Sequence, residues 1–374
     1  MKRLHYLDNL MIFLSILVIL HHVDIGYGTM GGWCYVTPEK LTGPVQVILS
    51  ALSGIEASFS MSLFFFISAY LTIPSLEKKG PNKFINARLI RLLIPLLFVM
   101  IIFSPSVSYY AELHNGSTTL SWFNYVLKQN LSSPNTSHTW FILVLIVFEL
   151  LYIIYWRYIR PYYSISKLFS NSIPIHTNIF LAAILCFLLT ISSRQFCPLG
   201  KQFIGLEFAN FAPYVFMYML GILVYRKQWL ETLPEKIAKP WLLLSLISAI
   251  YFCIIIYTIT KNPSVVEKYT MGLNLESVSL SLTQTIICIG FSGFLLHFFK
   301  NFFDSTNYVL SKMRKNRYGV YIFHPAVVVG VTIAFEYVSM NLYGKFFMAC
   351  VLSVVLSFII VALIRSISFV KRVI

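Results

Sequence analysis

The sequence predicts an all-α fold, a polytopic membrane bundle of about ten transmembrane helices, and three observations predict it. Of 374 residues, 57% are hydrophobic and only 11% are charged, with a mean hydropathy of +0.74. A soluble core has no use for that much apolar surface. The apolar residues gather in separate runs of roughly 17 to 25, the length that carries a helix across the hydrocarbon, and the runs are continuous rather than alternating, which excludes a closed β-barrel. Finally, the basic residues are unevenly shared: 22 of the 29 fall in alternate connections, as expected of cytoplasmic loops.

In chain order the predicted spans are 9–26, 57–75, 91–108, 139–157, 177–193, 210–225, 241–259, 277–298, 318–339 and 346–365. An even number of spans and the bias of Lys and Arg place both termini in the cytoplasm. The net charge of +15 then needs no nucleic-acid partner, because anionic lipid headgroups attract most of the excess. No soluble domain interrupts the series, so residues 1–374 read as a single integral membrane domain. The first run is long, holds two histidines and lacks a small-x-small cleavage site, which makes it a retained span rather than a signal peptide.

The longest outer segments, about 27–56 and 109–138, are the natural places for a site. Within the first, Pro44 to Glu56 is apolar enough for a half-embedded helix leading into the second span. Asn115, Asn130 and Asn135 begin Asn-x-Ser/Thr triplets in the second; these are glycosylation candidates in a eukaryote and only a polar loop in a bacterium. Cys186, Cys253, Cys288 and Cys350 fall in spans as small apolar side chains. Cys34 and Cys197 fall in outer segments, as a disulfide pair or as separate thiols.

The chemistry begins at His21 and His22, near the outer end of the first span. An ionisable side chain at that depth is costly and reads as functional unless a neighbour satisfies it. His22 lies fourteen residues, about 21 Å of helix, beyond Asp8. A neutral imidazole is the side chain best poised to take a proton from a hydroxyl near pH 7. The two histidines point about 100° apart, so one faces a given cavity while the other pairs with Asp24 or packs between helices. Arg88 and Arg91, three apart on a helix entering the membrane, share a face and suit one anionic group, or they simply flank the span. Ser60 to Tyr70 mixes small, hydroxyl and aromatic residues as closely packed helices do. Arg317 to Pro325 places His324 before a helix-distorting proline. Glu149 and Glu336 are further buried acids, suited to orienting an imidazole or pairing with a tyrosine hydroxyl. No His or Cys set has the spacing of a metal site.

Taken in order, these pieces resemble the acyltransferase-3 family of integral membrane acyltransferases, which includes O-acetylases of bacterial surface polysaccharides and a succinyltransferase of periplasmic glucans. The resemblance covers nearly the whole chain: Leu7-Asp8-Asn9-Leu10 leading to His22, Leu63 to Tyr70, Arg88-x-x-Arg91 with Pro95, Thr139-Trp140-Phe141-Ile142-Leu143, Tyr218-Met219-Leu220-Gly221, and Tyr318 to Pro325. It implies His22 as the general base and Arg88 and Arg91 as grips for donor phosphates. Ser68, Tyr70, Trp140 and His324 follow as donor- or substrate-binding positions, with Asp8, His21 and Glu149 in support. Two departures stand out. Met11 occupies the position where the family usually has a basic residue, and Ala69 replaces the glycine of a Ser-Gly-Tyr triplet.

The implied activity moves an acyl group, acetyl or succinyl, from cytoplasmic acyl-CoA to a hydroxyl of a cell-surface or periplasmic glycan. No cofactor is permanently bound; acetyl-CoA is the expected co-substrate, membrane lipid the surroundings, and a bacterial inner membrane the location. The alternative is a transporter or flippase of a glycan or lipid-linked intermediate, in which the buried His, Glu and Arg form a proton or substrate path. The oligomeric state is left open.

Overall fold

The computed structural model describes residues 3–161, 176–231 and 235–374; Lys2 and Lys167, counted above among the cytoplasmic basic residues, lie outside them. Among the described residues ten helices are long and apolar enough to cross a membrane, one for each predicted run. They are α1 (His5–Gly26), α2 (Gly43–Lys79), α3 (Pro81–His114), α4 (Ser137–Ile159), α5 (His176–Ser193), α6 (Phe208–Lys227), α7 (Ala238–Lys261), α8 (Leu275–Phe302), α9 (Tyr308–Glu336) and α10 (Leu342–Ile364). The protein is thus a multi-pass, all-helical membrane protein. The segment from Pro44 to Glu56 is helical as expected and runs without a break into α2.

Several helices begin earlier than their apolar runs, and the side chains at their starts explain why. Asn274, Asn307 and Asn341 each stand at the N-cap of α8, α9 and α10, and each accepts from a main-chain N–H three residues on, at 2.8, 2.9 and 2.8 Å. Each cap satisfies an N–H that the first turn leaves without a partner. Elsewhere the winding relaxes: α3 contains π-helical turns at Leu89–Leu93 and Val99–Phe103, and α4 ends in another at Tyr155–Ile159.

The chain divides into two compact units. The first comprises Met1–Glu56, Ile90–Leu143 and Ser305–Ile374. Here α1 packs on α9 and α10, burying Ile19, Val23 and Tyr27 against Val320, Val327, Val328 and Val361. The second unit comprises Ala57–Leu89 and Val144–Asp304, with α7 packed along α8, α8 on α5, and α5 on α6.

Small residues set the helix spacing in the second unit, as they do where lipid gives no hydrophobic push between helices. A Cβ on Gly290 would stand 1.9 Å from the Ser245 hydroxyl oxygen, and one on Gly221 would stand 2.3 Å from the Phe66 carbonyl oxygen and 3.0 Å from Ala69 Cβ. The Ala69 departure is therefore accommodated: the glycine that permits close approach lies on the facing helix. Arg194, only 1% exposed, ties α8 to the start of α6 by donating to Ser281 at 2.7 Å, Gln284 at 2.6 Å and Asn210 at 3.5 Å. All six cysteines are free thiols, Cys34 and Cys197 included.

Candidate functional site

Two groups of ionisable residues of the first unit lie at the two ends of α1. At the far end, His22 lies among His324, His21 and Trp33, with ring centroids 4.9, 5.4 and 4.2 Å away. The His22 Nδ1 is 2.7 Å from the Val18 carbonyl oxygen, one helical turn back. A carbonyl only accepts, so this contact assigns the proton to Nδ1 and leaves the Nε2 lone pair unused. His324, wholly buried, likewise turns its Nδ1 to the Tyr321 carbonyl at 2.9 Å, so its Nε2 is an acceptor and faces His22 Nδ1 at 3.3 Å. His22 Nδ1–H is thereby shared between Val18 and His324, which fixes both the tautomer and the plane of the ring.

A third imidazole stands behind these two. His138 Nε2 donates to the Ile322 carbonyl at 3.0 Å, and its ring meets His324 edge-on at 5.4 Å. Tyr321 donates to the His138 carbonyl oxygen, so the turn before Trp140 is tied to α9. Among the described residues no carboxylate comes within ion-pair distance of His22, His324 or His138, and they do not form a metal-holding group. His21 points elsewhere: its Nδ1 is 3.2 Å from Glu56, an ion-pair distance without hydrogen-bond alignment. Asp24, considered above as a partner for His21, accepts instead from Ser53 at 2.8 Å.

The near end of α1 is a charge knot. Asp8 is 2.7 Å from Arg317, 2.8 Å from Arg3 and 3.6 Å from Arg314, and Asn9 donates to the Ser305 carbonyl at 2.9 Å. Asp8 and Asn9 of the first motif thus join α1 to Ser305, just before α9, and to Arg314 and Arg317 within it. Met11 is buried, so no cation projects from that position.

The arginine pair is divided by its winding: Arg88 ends an α-helical segment, whereas Arg91 sits in the π-helical turn that follows, where α-helical spacing no longer fixes a shared face. In the second unit, Arg88 reaches Glu149 at 3.1 Å and lies over the Phe84 ring at 5.0 Å, while Thr72 donates to the same carboxylate oxygen at 3.0 Å. Glu149 is 2% exposed and thus serves Arg88 rather than an imidazole. In the first unit, the Arg91 guanidinium lies 5.7 Å from the Tyr318 ring centroid, and the Tyr318 hydroxyl donates to the Arg91 carbonyl at 2.7 Å. Tyr70 is buried edge-on against Tyr225 at 5.2 Å, Ser68 is half-buried on α2, and Trp140 is half-buried at the start of α4 with its ring 6.4 Å from Phe141. Glu336 holds an imidazole and a tyrosine together: His114 at 3.0 Å and the Tyr35 hydroxyl.

Trp33 and His138 were not singled out by the sequence. His138 opens the fourth apolar run as His22 closes the first, and that shared position was the signal available. Trp33 lies in the first long outer segment.

The comparisons bear on the class of protein. Among curated proteins no match to the chain is found. The model of one family, described as an acyltransferase domain, matches residues 4–363. That match includes both ends of α1, the three imidazoles and both arginines, so the chain belongs to the acyltransferase-3 family and is a membrane acyltransferase.

Proposed function

We propose that the protein is an O-acyltransferase that moves an acetyl group, or a succinyl group, from acyl-CoA to a hydroxyl of a cell-surface or periplasmic glycan at a bacterial inner membrane. The observation that carries this reading is the fixed tautomer of His22, with Nδ1–H held and Nε2 open. Nε2 takes the proton of the acceptor hydroxyl as its oxygen attacks the thioester carbonyl. The tetrahedral intermediate then expels the thiolate, the C–S bond breaks, and the imidazolium returns its proton to sulfur. His324 acts through His22: its Nε2 accepts from Nδ1–H and steadies the imidazolium, the part that a carboxylate plays in a hydrolase triad.

Arg88 and Arg91 are the proposed grips for the donor's phosphates. Glu149 and Thr72 hold Arg88 in one orientation, which supports this role because a pre-set guanidinium loses little freedom on binding. Ser68, Tyr70 and Trp140 complete the proposed donor and substrate contacts. Direct transfer is favoured over a cysteine relay at Cys34, next to Trp33, because burial pushes that thiol up to about 12 and the thiolate is the nucleophile.

Reconstituted protein supplied with labelled acetyl-CoA and a glycan acceptor tests the reading. Transfer by the intact protein should vanish in His22→Ala and His22→Gln, while Arg88→Ala and Arg91→Ala should raise KM for the donor. Full transfer by both His22 variants would remove the base assignment. Glycan translocation without acyl transfer by the intact protein would overturn the enzyme reading in favour of transport.

A further inference from the structure

The second unit contains a feature that acyl transfer at His22 does not use. Between α4 and α6 lies a cavity of about 250 Å³, walled by Phe148, Leu151 and Met219 with the Tyr218 ring beside them. A dry apolar cavity of roughly 150 Å³ already accommodates a benzene-sized guest, so this one has room for a length of alkyl chain. Leu151 and Met219 are 59% and 42% exposed on helices that cross the membrane, so the cavity is a trough open along its side to lipid.

Its basic end is charged. Arg226 reaches Glu77 at 2.5 Å and the Tyr152 hydroxyl at 3.1 Å, and Arg160 is 4.0 Å from the same Glu77 oxygen. Two guanidinium groups share one carboxylate and leave a net positive charge where the π-helical turn Tyr155–Ile159 hands over to Arg160. Eight residues before Arg226, about 12 Å along the helix, the Tyr218 hydroxyl is buried with no hydrogen-bond partner among the described residues. A polar tyrosine tip in an apolar wall calls for an acceptor.

We propose that this trough seats an anionic membrane phospholipid, with one chain along the apolar wall, the phosphate between Arg160 and Arg226, and an ester carbonyl accepting from Tyr218. Charge complementarity selects an anionic headgroup, and the lateral opening selects a molecule already dissolved in the bilayer. A pantetheine arm fits less well, because its amides need partners along their length and most of the wall is apolar. The site is independent of the chemistry at His22.

Native mass spectrometry of the full chain in detergent, with phosphatidylglycerol or phosphatidylcholine of identical chains added, tests this. The intact protein should retain phosphatidylglycerol in preference. Arg160→Gln, at a partly exposed side chain that folding tolerates, should lower that retention about fivefold, the usual strength of one basic side chain toward an anionic headgroup, and leave phosphatidylcholine unchanged. Met219→Trp should fill the trough and displace both, and Tyr218→Phe, which removes the donor to an ester carbonyl that both lipids carry, should weaken both alike. Equal retention of both lipids by the intact protein, or retention unchanged in Arg160→Gln and Met219→Trp, would overturn the proposal. Displacement of phosphatidylglycerol by acetyl-CoA would also overturn it, by making the trough a passage for the donor.

Discussion

The two ends of α1 handle polarity in opposite ways. At Asp8 a full negative charge is surrounded by three arginines, the nearest at 2.7 Å. Among the described residues no carboxylate comes within ion-pair distance of His22, and His22 and His324 are held by main-chain carbonyls and by each other. Charge is used where helices are fastened, and it is kept away from His22, which as the proposed base must stay neutral until a proton arrives. A carboxylate beside His22 would favour the imidazolium before substrate bound, and the lone pair would be lost.

Substitutions that break this contrast should rank by what they remove. The largest effect is expected at His22, where Ala should lower kcat about 10³-fold, within the usual range for a positioned base, with the thermal midpoint nearly unchanged. Next comes Asp8→Asn, which leaves three arginines facing an amide and should cost about 3 kcal/mol of stability, read by unfolding in detergent. His324→Leu should lower kcat about 30-fold with KM unchanged, and His324→Gln, which keeps an acceptor for Nδ1–H, should restore part of it. A purely structural His324 would lose stability in both variants and show no such recovery. His21→Gln should be smallest, under about 1 kcal/mol in stability and within twofold in kcat, because its ion pair with Glu56 stands apart from the imidazole chain.

The fold was legible because the bilayer imposes it: each span must supply a long apolar stretch, and among the described residues each of the ten predicted runs is a helix long and apolar enough to cross. What escaped was local. Asn274, Asn307 and Asn341 carry the helix starts beyond the apolar windows, and a single asparagine does not register in a hydropathy average. The π-helical turn at Leu89–Leu93 escaped too, since its sequence gives no sign of departing from α-helical spacing. Each unit is assembled from stretches far apart in the chain, so no single boundary in the sequence marks them.

At the candidate site His22 and His324 were legible as ionisable residues at membrane depth. Their contact was not, because 302 positions separate them. The pairing of Arg88 with Glu149 and of His21 with Glu56 depends on the same long-range packing. His138 needed the turn before Trp140 to be tied back onto α9 before it could join its neighbours.

The clamp at Asp8 also has a mechanical meaning. From Asp8 to His22, α1 is one uninterrupted helix, a lever arm of about 21 Å pivoted on three arginines. On such an arm a tilt of about 3° moves the imidazole by roughly 1 Å, a displacement large enough to spoil a reacting geometry. Loosening the pivot should therefore misalign the proposed base in the molecules that remain folded, so that damage at Asp8 lowers the acyl-transfer rate as well as the unfolding temperature.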